Sequence, residues 1–296
     1  MSVPSTRPVA LDYARRMLPP GVLAALRRLN QLRWITKYGN LRAAGRPLLA
    51  DRMLGLRHVL FDPEIESYTY DLANEAELAE QLAEIFSLPT SQVIGYIEET
   101  HREPELNREL QRRIRWRFAT KRRLPLGNRA LWYAIVRIVK PRLVVETGVL
   151  SGLGSLALLC ALERNAGEGH EGRLISADSD PTAGWLVPAR LQTRWSKLAG
   201  FSTDVLPAAL DGQTIGVFIQ DSLHTPENQE AEFSLAMAHA GDPLVLVDGG
   251  GGQTPALEDI CRAHGTERRI LQPRPVRHIY PPSATEVAVI RAVSAS

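Results

Sequence analysis

Beyond about residue 121 the hydrophobic positions fall into short β-branched runs separated by longer amphipathic stretches. The runs are Leu143–Thr147, Arg173–Asp178, Lys197–Phe201, Ile215–Gln220, Pro243–Asp248, Arg268–Gln272 and Glu286–Arg291. Short apolar runs alternating with helical patterns are what βαβ units look like, so this half predicts an α/β fold. The expected architecture is a Rossmann-like, seven-stranded, mostly parallel sheet with helices on both faces. Ligands of such sheets bind beyond the carboxyl ends of the strands. Upstream the period changes. Glu75–Phe86 and Ser91–Glu99 carry Ala, Leu and Ile every three or four residues, the spacing of helices, and Glu98–Phe118 reads as a further helix very rich in Arg. The change falls near Lys121–Gly127, which divides the chain into a helical N-terminal extension, residues 1–120, and an α/β domain, residues 121–296.

Composition agrees with a globular chain. Of 296 residues 44% are hydrophobic, 23% charged and 6% aromatic, enough for a buried core and ordinary in every class. No stretch has the ~18 uncharged apolar residues of a spanning helix, so no membrane span is expected. The two cysteines, Cys160 and Cys261, are too few for a disulfide scaffold or a four-ligand zinc site, which suits a reducing cytoplasm. The Arg-rich, acid-poor first residues lack the apolar run of a secretory signal. The net charge of +2 hides alternating blocks. Residues 1–60 hold 11 Lys and Arg against 2 acids, 61–100 hold none against 10, and 101–130 hold 10 against 3. Complementary helical faces explain such blocks more simply than a basic surface for lipid or nucleic acid, because no nucleic-acid-binding signature accompanies them.

The chemistry concentrates where the first strand ends. Leu143-Val144-Val145-Glu146-Thr147-Gly148-Val149-Leu150-Ser151-Gly152-Leu153-Gly154-Ser155 reads as a buried strand running through a glycine turn into a helix over 155–162. Glycines allow a sharp bend and close approach to a ligand. The order Gly148, Gly152, Gly154 is not the G-x-G-x-x-G of a dinucleotide site, and no phosphate-cradling P-loop occurs anywhere in the chain. Glu146 at the strand end would repel a pyrophosphate and attract an ammonium group. Asp178, at the tip of the next run, can accept both hydroxyls of a ribose. Together these residues point to a cationic nucleoside.

With those residues in place, the segment from Leu124 onward resembles the class I S-adenosylmethionine-dependent methyltransferases. Within them it resembles the small-molecule O-methyltransferase branch grouped with cephalosporin hydroxylase-like and rhamnosyl O-methyltransferase proteins. The matching stretches are Lys140–Ser155, Ser176–Asp178, Gly184–Pro188, Phe218–Thr225 and Leu244–Asp248. The resemblance implies S-adenosylmethionine as cofactor, with Glu146 at the methionyl amino group and Gly148, Ser151, Gly152 and Gly154 lining the methionine and ribose. It puts Asp178 on the ribose hydroxyls and Phe201 and Ser202 near the adenine, and adds Thr147, Asp221 and Ser222 to the cofactor-binding set.

Methyl transfer from a sulfonium needs an acceptor oxygen held in line and relieved of its proton. His224, in Asp221-Ser222-Leu223-His224-Thr225 after the run Ile215–Gln220, is the expected base, with Asp221 beside it. Glu227 and Glu230 read as solvated first-turn residues of the helix expected over 226–240. Trp132 and Tyr133 read as core, Arg129 as a cleft-entrance residue, and His278 and Tyr280 as an acceptor wall or as core. Related O-methyltransferases often hold a divalent cation at the ends of the fourth and fifth strands, here Asp221 and Asp248. This chain departs from them, with Gly249-Gly250-Gly251-Gly252 where a second acid or Asn often follows, so Mg²⁺-assisted and metal-free readings stay open. The resemblance implies O-methylation of a small secondary-metabolite or sugar-like acceptor by a cytoplasmic enzyme. The extension, Tyr68–His101 above all, is expected to cap the pocket or build a homodimer interface. The alternatives are a cephalosporin hydroxylase-like oxygenase, which would need iron ligands this chain does not offer convincingly, a binding protein that keeps the fold without turnover, and a macromolecular acceptor.

Overall fold

The computed structural model describes residues 69–103, 125–248, 255–264, 266–276 and 286–292. The described residues belong to one compact unit. Two helices open it, α1 (Glu75–Phe86) and α2 (Thr90–Arg102), followed after an interval by α3 (Arg129–Val139). Then come β1 (Leu143–Thr147), α4 (Leu153–Gly167), β2 (Arg173–Asp178), a 3₁₀ helix (Ala189–Arg194) and β3 (Trp195–Ala199). The unit continues through α5 (Ser202–Leu210), β4 (Ile215–Gln220), α6 (Pro226–Ala238), β5 (Ala240–Asp248), α7 (Pro255–His264), β6 (Glu267–Leu271) and β7 (Val287–Ala292).

The strands form one seven-stranded sheet in the order β3-β2-β1-β4-β5-β7-β6. All pairings from β3 to β5 are parallel, and β7 runs antiparallel to both β5 and β6. The order reverses between β1 and β4, which makes the carboxyl ends of those two strands the switch point where such sheets take ligands. Every residue of β1 is buried, so its alternation serves two faces rather than one core and one solvent face. Leu143 and Val145 join Phe218, Phe233, Leu206 and Leu246 in one core cluster beneath α5 and α6. Val144 and Glu146 turn to the opposite face.

The described part of α1 and α2 is bound into the same unit. Leu72 bridges Pro275, Ala73 N–H donates to the Arg274 carbonyl and Val276 N–H to that of Asp71. Arg137 of α3, 2% exposed, donates to Glu99 of α2, and Tyr133 donates its hydroxyl to the same carboxylate.

Several boundaries differ from the sequence reading: α4 runs Leu153–Gly167 rather than 155–162, α2 runs Thr90–Arg102 rather than 91–99, β5 begins at Ala240 rather than Pro243, and β6 and β7 are each displaced by one residue. The helix expected over 98–118 does not begin as a separate element: α2 runs on through Arg102 and stops where Glu103 turns extended (φ −62°, ψ 115°). Residues 104–118 lie outside the described chain. The third strand sits two residues earlier than the run 197–201, because Gly200 (φ 153°) breaks it and Phe201 becomes the N-cap of α5. The helix expected over 226–240 ends at Ala238, since Ala240 already opens β5.

Candidate active site

The glycine turn is built by close backbone contact. Gly148 has φ 82°, and a Cβ there would stand 2.1 Å from the Asp221 carbonyl oxygen, so β1 and β4 can meet at their ends only through glycine. Gly148 N–H donates to Ala177 and Asp221 N–H to Thr147, tying the ends of β2, β1 and β4 together. Gly152 (φ 90°) is the N-cap of α4, and its missing Cβ leaves room for Gly184 Cα, which would be 2.8 Å away. Gly154 is buried inside α4, where a Cβ would meet Glu146 Oε1 at 2.7 Å and the Trp132 ring at 2.8 Å. Gly152 and Gly154 therefore serve packing around the turn, while Gly148 stands half-exposed at the rim.

Glu146 is 1% exposed and faces α4, where Ser155 Oγ donates to it at 2.5 Å and Ser176 Oγ at 2.8 Å. Trp195 Nε1 donates to Ser176, which leaves the Ser176 hydrogen directed at Glu146. Burial pushes the Glu146 carboxyl up to about 7, the two serine hydrogen bonds pulling the other way. Asp178 is half-buried at the rim. Its Oδ2 accepts the N–H groups of Val149 and Leu150 at 2.8 and 2.9 Å, and its Oδ1 accepts that of Asp180 at 2.8 Å. Three of its roughly four lone-pair directions are thus used on the turn itself.

Thr147, Ser202 and Ser222 converge on a residue the sequence reading did not single out. Glu232 of α6 is wholly buried and accepts from Thr147 Oγ1 (3.1 Å), Ser222 Oγ (2.8 and 2.9 Å) and Ser202 Oγ. A signal exists in retrospect. Gln229, Glu232, Phe233 and Ala236 follow the i, i+3, i+4, i+7 pattern of one helix face, and all four are buried. Glu227 and Glu230, on the other face, are exposed.

Asp221 and His224 come together at the rim. His224 Nε2 lies 3.8 Å from Asp221 Oδ1, with the two side chains 33% and 22% exposed. The other Asp221 oxygen is 3.4 Å from Arg129 Nη2. Arg129, 5% exposed at the start of α3, stacks on Trp132 with its guanidinium carbon 5.1 Å from the ring centre. Tyr70 completes this side: its hydroxyl accepts the Asn128 N–H at 3.3 Å, and a Cβ on Gly127 would strike its ring. Burial pushes the Tyr70 phenol up to about 12, so it stays protonated at neutral pH. No local pattern marks Tyr70; only the tertiary fold brings it here. Trp132 and Tyr133 are fully buried.

Phe201, 40% exposed, stands at the end of β3 next to buried Ser202, and Ser151 is buried within the turn. Asp248 ends β5 in register with Gln220, one residue before Asp221. Its side chain, Gly249–Gly252, His278 and Tyr280 lie outside the described residues. Among the described residues no group of three or more His, Cys, Asp or Glu side chains could hold a metal ion.

The rim therefore carries carboxylates at Asp178 and Asp221 and an imidazole at His224, with the buried Arg129 guanidinium set against Asp221.

Residues 145–262 match a family model described as a methyltransferase domain. Among curated proteins none matches the chain. Solved structures similar to it include an O-methyltransferase from Bacillus cereus in complex with SAH, at 13% identity over 77% of this chain and 100% of that one, TM-score 0.44. Another is the O-methyltransferase TomG from Streptomyces achromogenes, involved in tomaymycin synthesis and bound to SAM, at 14% identity over 79% and 96%, TM-score 0.45. A third is an rRNA methylase from Streptococcus thermophilus, at 13% identity over 55% and 94%, TM-score 0.40. At these scores the likenesses add nothing to the sheet order.

Proposed function

From the premise that its α/β unit is a class I S-adenosylmethionine-dependent methyltransferase domain, we propose that the chain transfers a methyl group to a hydroxyl of a small-molecule acceptor. The observation that carries this reading is the approach of His224 to Asp221 at the switch point, directly beside the glycine turn. When bound, S-adenosylmethionine supplies an electrophilic methyl group whose leaving group is a neutral thioether. The work left to the chain is to orient the acceptor and take its proton. His224 Nδ1 is buried, so Nε2 is the nitrogen turned to the rim and the atom that receives the proton. Asp221 stabilises the imidazolium that results, and Arg129 stands 3.4 Å from its other oxygen.

For the donor, Gly148 gives backbone approach, Asp178 faces the ribose and Phe201 offers a ring face for the adenine. Glu146 acts from beneath the turn, by holding Ser155 and Ser176, since its carboxylate is buried. A magnesium ion between Asp221 and Asp248 is a second reading, supported by the register of Gln220 with Asp248. A chelator tests it: loss of transfer in EDTA and recovery with Mg²⁺ is its signature, and full rate in EDTA ends it.

Transfer from S-adenosylmethionine to hydroxylated small acceptors tests the main reading. His224→Ala is expected to lower turnover by about 10²-fold or more while donor affinity stays unchanged. A variant at full rate removes the base assignment. Turnover on RNA with none on small hydroxyl acceptors would overturn the acceptor class.

A further inference from the structure

Glu232 is the one wholly buried carboxylate on the α6 side of the glycine turn, and among the described residues no cation pairs with it. A buried, unpaired carboxylate is costly, and a position that served packing alone would be better filled by a neutral side chain of the same size. What Glu232 holds explains its presence. Thr147 is the last residue of β1, immediately before Gly148. Ser202 follows Phe201 at the end of the β3 crossing, and Ser222 follows Asp221 at the end of β4. Each hydroxyl donates to the same carboxylate. Ser222 is fixed most firmly, because its oxygen accepts from Asn228 Nδ2 (3.1 Å) and Gln220 Nε2 (3.4 Å) and its single hydrogen then has only Glu232 to bind.

We infer that Glu232 is a positioning residue for donor binding, which sets three chain ends so that Gly148, Phe201 and Asp221 stand at the spacing the donor requires. It touches neither donor nor acceptor. The inference rests on the reading that S-adenosylmethionine binds at the glycine turn.

Glu232→Gln tests it. The amide keeps the volume and one acceptor oxygen, but its NH₂ confronts hydroxyls whose hydrogens are already directed inward. Thermal melting is expected to fall only modestly, because the amide oxygen still accepts from the hydroxyls nearest it. The calorimetric Kd for S-adenosylmethionine is expected to rise about tenfold, the equivalent of one lost hydrogen bond's positioning, with kcat at saturating donor within about threefold of wild type. Amide exchange at Gly148, Ser202 and Ser222 is expected to quicken. Thr147→Val, which removes one hydroxyl isosterically, should shift Kd the same way and less, and decides the matter if Glu232→Gln does not fold. Unchanged Kd in folded variants, or affinity lost only in step with melting, overturns the inference. Wild type that fails to bind S-adenosylmethionine overturns the functional reading instead, and the exchange rates then decide Glu232 alone: unaltered exchange sinks it.

Discussion

Glu146 shows how much a residue's neighbours change what its type implies. Its place at a strand end aims it at a ligand's ammonium group; the fold aims it at Ser155 and Ser176, with Gly154 opened to admit it. The same holds for Asp178, whose oxygens are shared with the backbone of the turn. That these residues gather around the glycine turn was legible from their order along the chain. Where each carboxylate points was not, because direction depends on Trp195, Ser176 and α4, which no local pattern ties to it. A pH dependence follows from Glu146. Its carboxyl is held at about 7 in the folded chain against 4.5 ordinarily, so the folded state keeps a proton that the unfolded state releases. Its cost is absent below pH 4.5, grows as pH rises through 4.5 to 7, and is complete above. Glu146→Gln should remove that slope and be more stable at pH 8 by on the order of 1–3 kcal/mol, measured by urea unfolding at pH 5 and 8. Equal slopes in both proteins would show that Glu146 titrates normally.

At the scale of elements, β1, β2 and β4 stand where the apolar runs put them, residue for residue, and α1 does too. Buried central strands write continuous apolar runs, and such runs are legible without the fold. Edges were less legible. β3 lies at the sheet edge, and its start is set by pairing with Leu174 rather than by its own apolar residues. The attachment of α2 was also hidden, since it runs through Arg137, a charged residue within an apolar helix. Arg137 is 2% exposed, binds Glu99 and Glu168, donates to Asn165 and lies 4.9 Å over the Tyr96 ring. Removing the guanidinium leaves the largely buried Glu99 with Arg164, 3.9 Å away, as its remaining cation among the described residues. Arg137→Met should cost about 3 kcal/mol in urea unfolding, whereas Glu168→Ala, at a side chain 44% exposed, should cost under about 1 kcal/mol. Equal losses would mean that Glu168 rather than Glu99 carries the contact.

At the scale of the whole molecule, a ligand that binds only the folded state raises its stability by mass action. S-adenosylmethionine at about 100 times its Kd should add about 2.7 kcal/mol and lift the melting midpoint by several degrees, with no effect from NAD. A rise with NAD and none with S-adenosylmethionine would overturn the donor assignment. The class of fold and the glycine turn after the first strand were decided by the sequence alone, because they rest on local period and on residues adjacent in the chain. Only the tertiary structure decided that Tyr70 and Arg129 stand against Asp221, and that Glu232 holds three hydroxyls from three chain ends. Those groups are brought together by strand order and helix packing, and interactions between distant parts of a chain leave no period along it.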